Sequence, residues 1–191
     1  MHMYSAAGNF YGGNGIVGAQ VPVGAGVAFS QKYNNTGNVC VALYGDGAAN
    51  QGQIFEAFNM SSLWKLPIIY VCENNKYGMG TSVKRASAND QFYLRGDYIP
   101  GIQIDAMDYF TVRAATEYAR KYVLEHGPIV LEMLTYRYMG HSMSDPGITY
   151  RNADEVKKVK ESQDPIDQLA KKLIDAGAAT AEELEVKIFF L

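Results

Sequence analysis

Two uninterrupted apolar runs dominate the first half of the chain, Val39-Cys40-Val41-Ala42-Leu43-Tyr44 and Pro67-Ile68-Ile69-Tyr70-Val71-Cys72. Neither alternates with polar residues, which is the pattern of parallel strands buried on both faces. Between them Phe55, Phe58, Asn59, Ser62 and Leu63 recur at helical spacing, Gln53 to Trp64 holds no Gly or Pro, and Pro67 closes the segment, so a helix is predicted. Strand, crossover helix and parallel strand bring both strand ends to one edge of a sheet, where ligands of open α/β folds sit. Downstream, Ile102-Gln103-Ile104-Asp105 alternates as a strand, and Ile129 to Leu134 forms another apolar one. Phe110 to Leu124 carries Val112, Ala115, Tyr118, Ala119 and Tyr122 on one helical face. Upstream, Gly18, Ala19, Gly24, Ala25, Gly26 and Ala28 predict a small-residue helix suited to close packing. Pro165 to Ala176 and Ala181 to Lys187 read as helices, the second opened by a capping box from Thr180 to Glu183. Strands alternating with helices predict an α/β fold, a doubly wound and mostly parallel sheet. A single domain is expected, with its core over about residues 9–150 and a helical tail over about 151–191.

Composition narrows the partners. The 48% hydrophobic fraction over 191 residues is that of a globular protein with a sizeable core. Seventeen basic residues against twenty acidic ones give a formal charge of −3, with no basic stripe, which argues against a nucleic-acid partner. No apolar run approaches the roughly 20 residues of a membrane-spanning helix. Cys40 and Cys72 both fall inside expected strands, as free core thiols of a reducing compartment do. The first residues show neither a secretory signal nor an Arg- and Ser-rich transit segment.

The chemistry collects at the two strand ends. Gly45-Asp46-Gly47 follows the first run and Asn74-Asn75 the second, so Asp46 and Asn75 are expected to converge. A carboxylate and an amide oxygen are hard ligands suited to Mg2+, which keeps water and phosphate oxygens in its remaining positions. Gly45 and Gly47 let backbone approach a diphosphate without a Cβ in the way, and Ala48 and Ala49 keep the helix entrance narrow. Gly12-Gly13-Asn14-Gly15 reads as a loop passing close to a ligand, and His141 lies in a loop after the Ile129–Leu134 strand, at the same sheet edge. Near-neutral titration lets a histidine there hold a diphosphate oxygen or pass protons to a bound acid.

The stretches Tyr44-Gly45-Asp46-Gly47-Ala48-Ala49-Asn50-Gln51-Gly52 and Glu73-Asn74-Asn75-Lys76-Tyr77-Gly78-Met79-Gly80-Thr81-Ser82 closely resemble the thiamine diphosphate motif of pyruvate dehydrogenase alpha subunits. Met1-His2-Met3-Tyr4, Asn9-Phe10-Tyr11 with the loop to Gln20, Arg95-Gly96-Asp97-Tyr98-Ile99-Pro100-Gly101 and Gly140-His141-Ser142-Met143-Ser144-Asp145-Pro146-Gly147 resemble the same family, up to about Glu185. The branched-chain 2-oxo acid dehydrogenases are the nearest alternative, but their first motif carries Gly-Glu-Gly. Two features depart from the family: the spacer Ser5-Ala6-Ala7-Gly8 is longer than usual, and Met139 stands where a second histidine is usual.

The resemblance implies a thiamine diphosphate-binding fold and oxidative decarboxylation of pyruvate, with the acetyl unit passed to a lipoyl group on the acetyltransferase component. It places Gly15, Val17, Gly47 and Ala48 against the cofactor, Asp46, Asn75 and the Tyr77 carbonyl on Mg2+, and His141 at the reacting end. Ser142 matches the main phosphorylation position, with Thr149 and Ser82 at a second and third, which implies a regulatory kinase and phosphatase. The family works as a heterotetramer with a beta subunit in the mitochondrial matrix. The chain is expected to be such a subunit truncated at both ends, its apolar finish Lys187-Ile188-Phe189-Phe190-Leu191 replacing a charged helix. Two readings therefore stand beside each other, a catalytic alpha-subunit core and an incompetent chain that only binds the beta subunit. A magnesium phosphohydrolase using Asp46 ranks below both, because no second carboxylate stands near it in sequence.

Overall fold

A computed structural model describes residues 3–189. Met1, His2, Phe190 and Leu191, parts of the opening motif and of the apolar finish, lie outside the described residues. In chain order the elements are α1 (Gln20–Tyr33), β1 (Cys40–Gly45), α2 (Gly52–Leu63), β2 (Ile68–Asn74), β3 (Tyr77–Gly78), β4 (Thr81–Ser82) and α3 (Val83–Ala86). They continue with β5 (Gly101–Asp105), α4 (Tyr109–His126), β6 (Ile129–Leu134), α5 (Ala153–Gln163), α6 (Pro165–Asp175) and α7 (Ala181–Phe189). Four strands form one parallel sheet in the order β1-β2-β6-β5, and β3 with β4 makes a separate antiparallel hairpin. Among the described residues no helix is long and apolar enough to cross a membrane.

The sheet divides two apolar layers, as a doubly wound fold requires. Ile68, Tyr70 and Cys72 of β2 point into one, with Val21, Ala25 and Ala28 of α1 and Ile54, Ala57 and Phe58 of α2. Ile69 and Val71 point into the other, with Ile129 and Leu131 of β6, Ile104 of β5 and Ala119 and Val123 of α4. Helix α1 lies so close to β1 that a Cβ on Gly24 would stand 2.7 Å from the Ala42 methyl. The small-residue segment is thus a core helix of the first layer, beginning at Gln20 after Gly18 turns the chain at positive φ.

Three sequence expectations are corrected. Strand β1 is buried on one face only: Ala42 and Tyr44 are covered, whereas Val41 and Leu43 are 45% and 48% exposed. It is an edge strand, and α4 on that side covers β2, β6 and β5. The buried stripe of α2 is Ile54, Ala57, Phe58 and Ser61, about one residue around the helix from the expected one, and Leu63 is exposed. On α4 the buried residues are Ala119 and Val123, with Ala115 and Tyr122 partly covered and Tyr118 exposed. Cys40 and Cys72 are free and buried, and the strand register sets Cys72 against Tyr44 and Cys40 against Ile68. Burial pushes the Cys40 thiol up to about 11 and Cys72 higher still, so both are protonated packing groups at neutral pH. The Thr180 capping box is formed, Glu183 accepting from the Thr180 amide at 2.9 Å and donating its own amide to Thr180 Oγ1 at 3.2 Å.

Candidate active site

The carboxyl ends of β1 and β2 lie side by side, Gly45 paired with Glu73, so the residues that follow them leave the sheet together. Asp46 is 2% exposed. Desolvation raises its pKa, and hydrogen bonding from the Asp46 and Asn75 backbone amides, with the more distant Arg137 charge, opposes that rise. A short 3-10 turn, Ala48–Asn50, carries the chain from Asp46 into α2, with Ala48 and Ala49 buried beneath it. A Cβ on Gly47 would stand 3.3 Å from Gly78 Cα, and one on Gly78 would stand 3.2 Å from Gly47 Cα. The β3–β4 hairpin therefore lies directly on the Asp46-Gly47 turn, where a side chain on either glycine would crowd the other's backbone. Asp46, Gly47, Asn50, Gly78, Thr81, Val83, Ala86 and Ser87 line a cavity of about 100 Å³ there.

The Asn74-Asn75 turn is built by its own side chains. Asn74 Oδ1 accepts from the Lys76 amide at 3.0 Å and Asn75 Oδ1 from the Tyr77 amide at 3.3 Å, and Lys76 takes φ +70°. The Tyr77 carbonyl accepts from Arg137 at 3.2 Å. A carbonyl or amide oxygen has two lone pairs, so Asn75 and Tyr77 each keep one for a cation. One carboxylate, one amide oxygen and one carbonyl form a donor set of hard oxygens, and Asp46 has no cation within salt-bridge distance among the described residues. These oxygens are of the kind Mg2+ takes, and of the three residues Asp46 lines the cavity.

Arg137, Asp145, Tyr150 and Arg151, which sequence reasoning passed over, fasten the His141 loop to this site. Arg137 donates to the Met79 carbonyl at 2.9 Å, to Tyr150 Oη at 2.7 Å and to His141 Nδ1 at 3.4 Å. Asp145 accepts from the His141 amide at 2.8 Å, the Gly147 amide at 2.8 Å and Tyr150 Oη at 2.6 Å. Buried Arg151 donates to the carbonyls of Arg137, Met139 and Gly147. The only sequence signal for these residues was two arginines and an acid in a loop otherwise short of charge.

Not every expected residue gathers at the cavity. His141, Ser142 and Thr149 are exposed on the loop, Ser142 and Ser144 sharing a hydroxyl contact of 3.0 Å, and half-covered Ser82 ends the β4 strand. Gly15 and Val17 are also exposed, and neither they nor Ala48, Asn75 and Tyr77 are among the residues lining the cavity. The Val17 carbonyl accepts from Gln53 Nε2 at 3.0 Å, which ties that loop to the first turn of α2.

A sequence profile described as "Dehydrogenase E1 component" matches residues 1–188. The chain is 62% identical over 185 residues to the mitochondrial pyruvate dehydrogenase E1 component subunit alpha of Dictyostelium discoideum, covering 96% of this chain and 48% of that protein. It is 59% identical over 186 residues to the somatic mitochondrial form of Homo sapiens, covering 97% and 47%. To the mitochondrial subunit alpha-1 of Arabidopsis thaliana it is 57% identical over 185 residues, covering 97% and 48%. The chain spans about half the length of these curated relatives. A profile match running through both strand-end turns, the hairpin and the His141 loop places the chain in the dehydrogenase E1 component family.

Proposed function

We propose that this chain is the core of a mitochondrial pyruvate dehydrogenase alpha subunit, which decarboxylates pyruvate oxidatively and passes the acetyl unit to a lipoyl group. The observation that carries this reading is near-60% identity to subunits of that name along almost the whole chain. The buried Asp46 beside the Asn75 turn supports it. Thiamine diphosphate, when bound, supplies the electron sink that decarboxylation of a 2-oxo acid needs.

This chain's part is to hold and orient. Asp46, Asn75 Oδ1 and the Tyr77 carbonyl would hold Mg2+, and Gly47, with no side chain, would let phosphate oxygens approach the backbone, with Ala48 beside it. Gly15 and Val17 would contact the cofactor from the loop that Gln53 anchors. His141, steadied by Arg137 on Nδ1, would serve the reacting end of the site. A beta subunit completes a heterotetramer, a lipoyl domain of the acetyltransferase component receives the product, and the assembly resides in the mitochondrial matrix. Ser142, exposed one residue from His141, is the place for a kinase and phosphatase to act, with Thr149 and Ser82 as further positions. A phosphate at Ser142 adds about two negative charges within reach of Asp145 and the incoming diphosphate, and both repulsions oppose cofactor binding.

The test is pyruvate-dependent reduction of an artificial electron acceptor by this chain co-purified with a beta subunit. Turnover that requires thiamine diphosphate and Mg2+, and that Asp46→Ala abolishes, is the expected result. A stable complex with no such turnover sinks the catalytic reading and leaves a chain that binds the beta subunit without working.

A further inference from the structure

Glu132 is fully buried in the middle of β6, between Leu131 and Met133 in a strand that is otherwise apolar. A carboxylate there is costly unless it is met by donors. Three elements meet it. Its Oε1 accepts from Asn74 Nδ2 at 2.7 Å, and its Oε2 from the Tyr93 amide at 3.1 Å and Gln103 Nε2 at 3.3 Å. All three partners are donors, the complement of an acceptor-only group.

The contact with Asn74 reaches the strand-end turn. An amide side chain that gives its NH2 to Glu132 must turn its oxygen the other way, and that oxygen receives the Lys76 amide at 3.0 Å. This second bond folds the chain into the left-handed conformation at Lys76, and Asn75 and Tyr77 flank that residue. Resting on the functional reading above, we infer that Glu132 is a positioning residue for the metal clamp, acting through Asn74 to fix the turn that presents Asn75 Oδ1 and the Tyr77 carbonyl. A buried acid on the third strand thereby sets the geometry of ligands on a neighbouring one.

The test is a pair of variants of the full chain. In Glu132→Gln one carboxylate oxygen becomes an NH2, which faces either Asn74 Nδ2 or the Tyr93 amide, so a donor is left unpaired whichever way the amide turns. Adding Asn74→Asp restores complementarity, because the carboxylate it introduces accepts both from the new side-chain NH2 on β6 and from the Lys76 amide. Exchange of the Lys76 and Tyr77 amides without metal is expected to quicken in Glu132→Gln. Mg2+ affinity, measured by isothermal titration with thiamine diphosphate present, is expected to fall about tenfold to a hundredfold, the usual effect of losing a group that orients a ligand. The double variant is expected to recover most of both. A folded Glu132→Gln protein with unchanged exchange and unchanged Mg2+ affinity overturns the inference, as does a loss that Asn74→Asp fails to restore. Failure of Glu132→Gln to fold, with a folded and Mg2+-binding double variant, supports it. If both variants fail to fold, Glu132 serves only the core and the inference is lost. Absence of Mg2+-dependent binding in the unaltered chain would count against the functional reading alone, since the exchange measurement needs no metal.

Discussion

Asp145 is the residue on which the His141 loop turns. Its side chain is 3% exposed and the Tyr150 hydroxyl, followed by the His141 and Gly147 amides, holds its pKa down to about 2. A carboxylate depressed in the folded state stabilises it above the ordinary value near 4, and the contribution disappears as pH falls through the folded value. The His141 and Gly147 amides are therefore expected to lose protection between about pH 4 and pH 2, measurable by hydrogen exchange. Asp145→Asn should loosen the same two amides at neutral pH by turning a donor onto one of three donors. At this scale the two buried free cysteines and the placement of Asp46 and Asn75 just past adjacent strand ends were legible, because an apolar run and the turn residues that close it can be read directly. The sequence did not disclose Arg137, Asp145, Tyr150 and Arg151, whose meaning lies in contacts between loop segments up to sixty positions apart, as between Arg137 and Tyr77.

Elements join through a few polar ties inside apolar layers. Tyr70 of β2 and Ser61 of α2 share a buried hydroxyl contact of 2.6 Å. Tyr70→Phe leaves the Ser61 hydroxyl buried without that partner, at a cost of about 1–2 kcal/mol. The expected reading is a lower urea midpoint with unchanged steepness. Helix α4 is opened by Asp108, which accepts from the Thr111 amide at 2.9 Å and also pairs with Lys172 of α6, so the tail helix is fastened to the second layer by one ion pair. The four strands of the main sheet were legible because β1, β2 and β6 are apolar runs and β5 alternates, whereas the short β3–β4 hairpin and α3 carry no such pattern and were not expected. Helix α5 was missed: it buries no residue, so it has no apolar period to detect, and its signals are the Asn152 cap with Asp154 and Glu155 in the first turn. Strand β1 was over-read, because an apolar run reports that its side chains suit a covered surface and not which neighbour covers them.

The molecule as a whole leaves one such surface open. Val41 and Leu43 on the outer face of β1 lie beside a cavity of about 760 Å³ that Phe10, Tyr11, Val23 and Val27 also line, and the outer edge of that strand pairs with no other strand among the described residues. Exposed apolar surface next to an unpaired strand edge favours association. The isolated chain is expected to elute ahead of a monomer in size-exclusion chromatography with light scattering. Val41→Lys with Leu43→Lys should shift it toward monomer while changing stability by less than about 1 kcal/mol, as surface substitutions do.

The strand order has a temporal side. β6 lies between β2 and β5, although its residues follow both of theirs in the chain. On a ribosome, β1, α2 and β2 emerge early and can pair as a local unit, but β5 must wait without a strand to lie against until Ile129–Leu134 has been synthesised. A nascent chain halted before Ile129 has the β1–β2 pair and an unpartnered β5, and Glu132, which contacts both sides through Asn74 and Gln103, arrives with the strand that closes the gap.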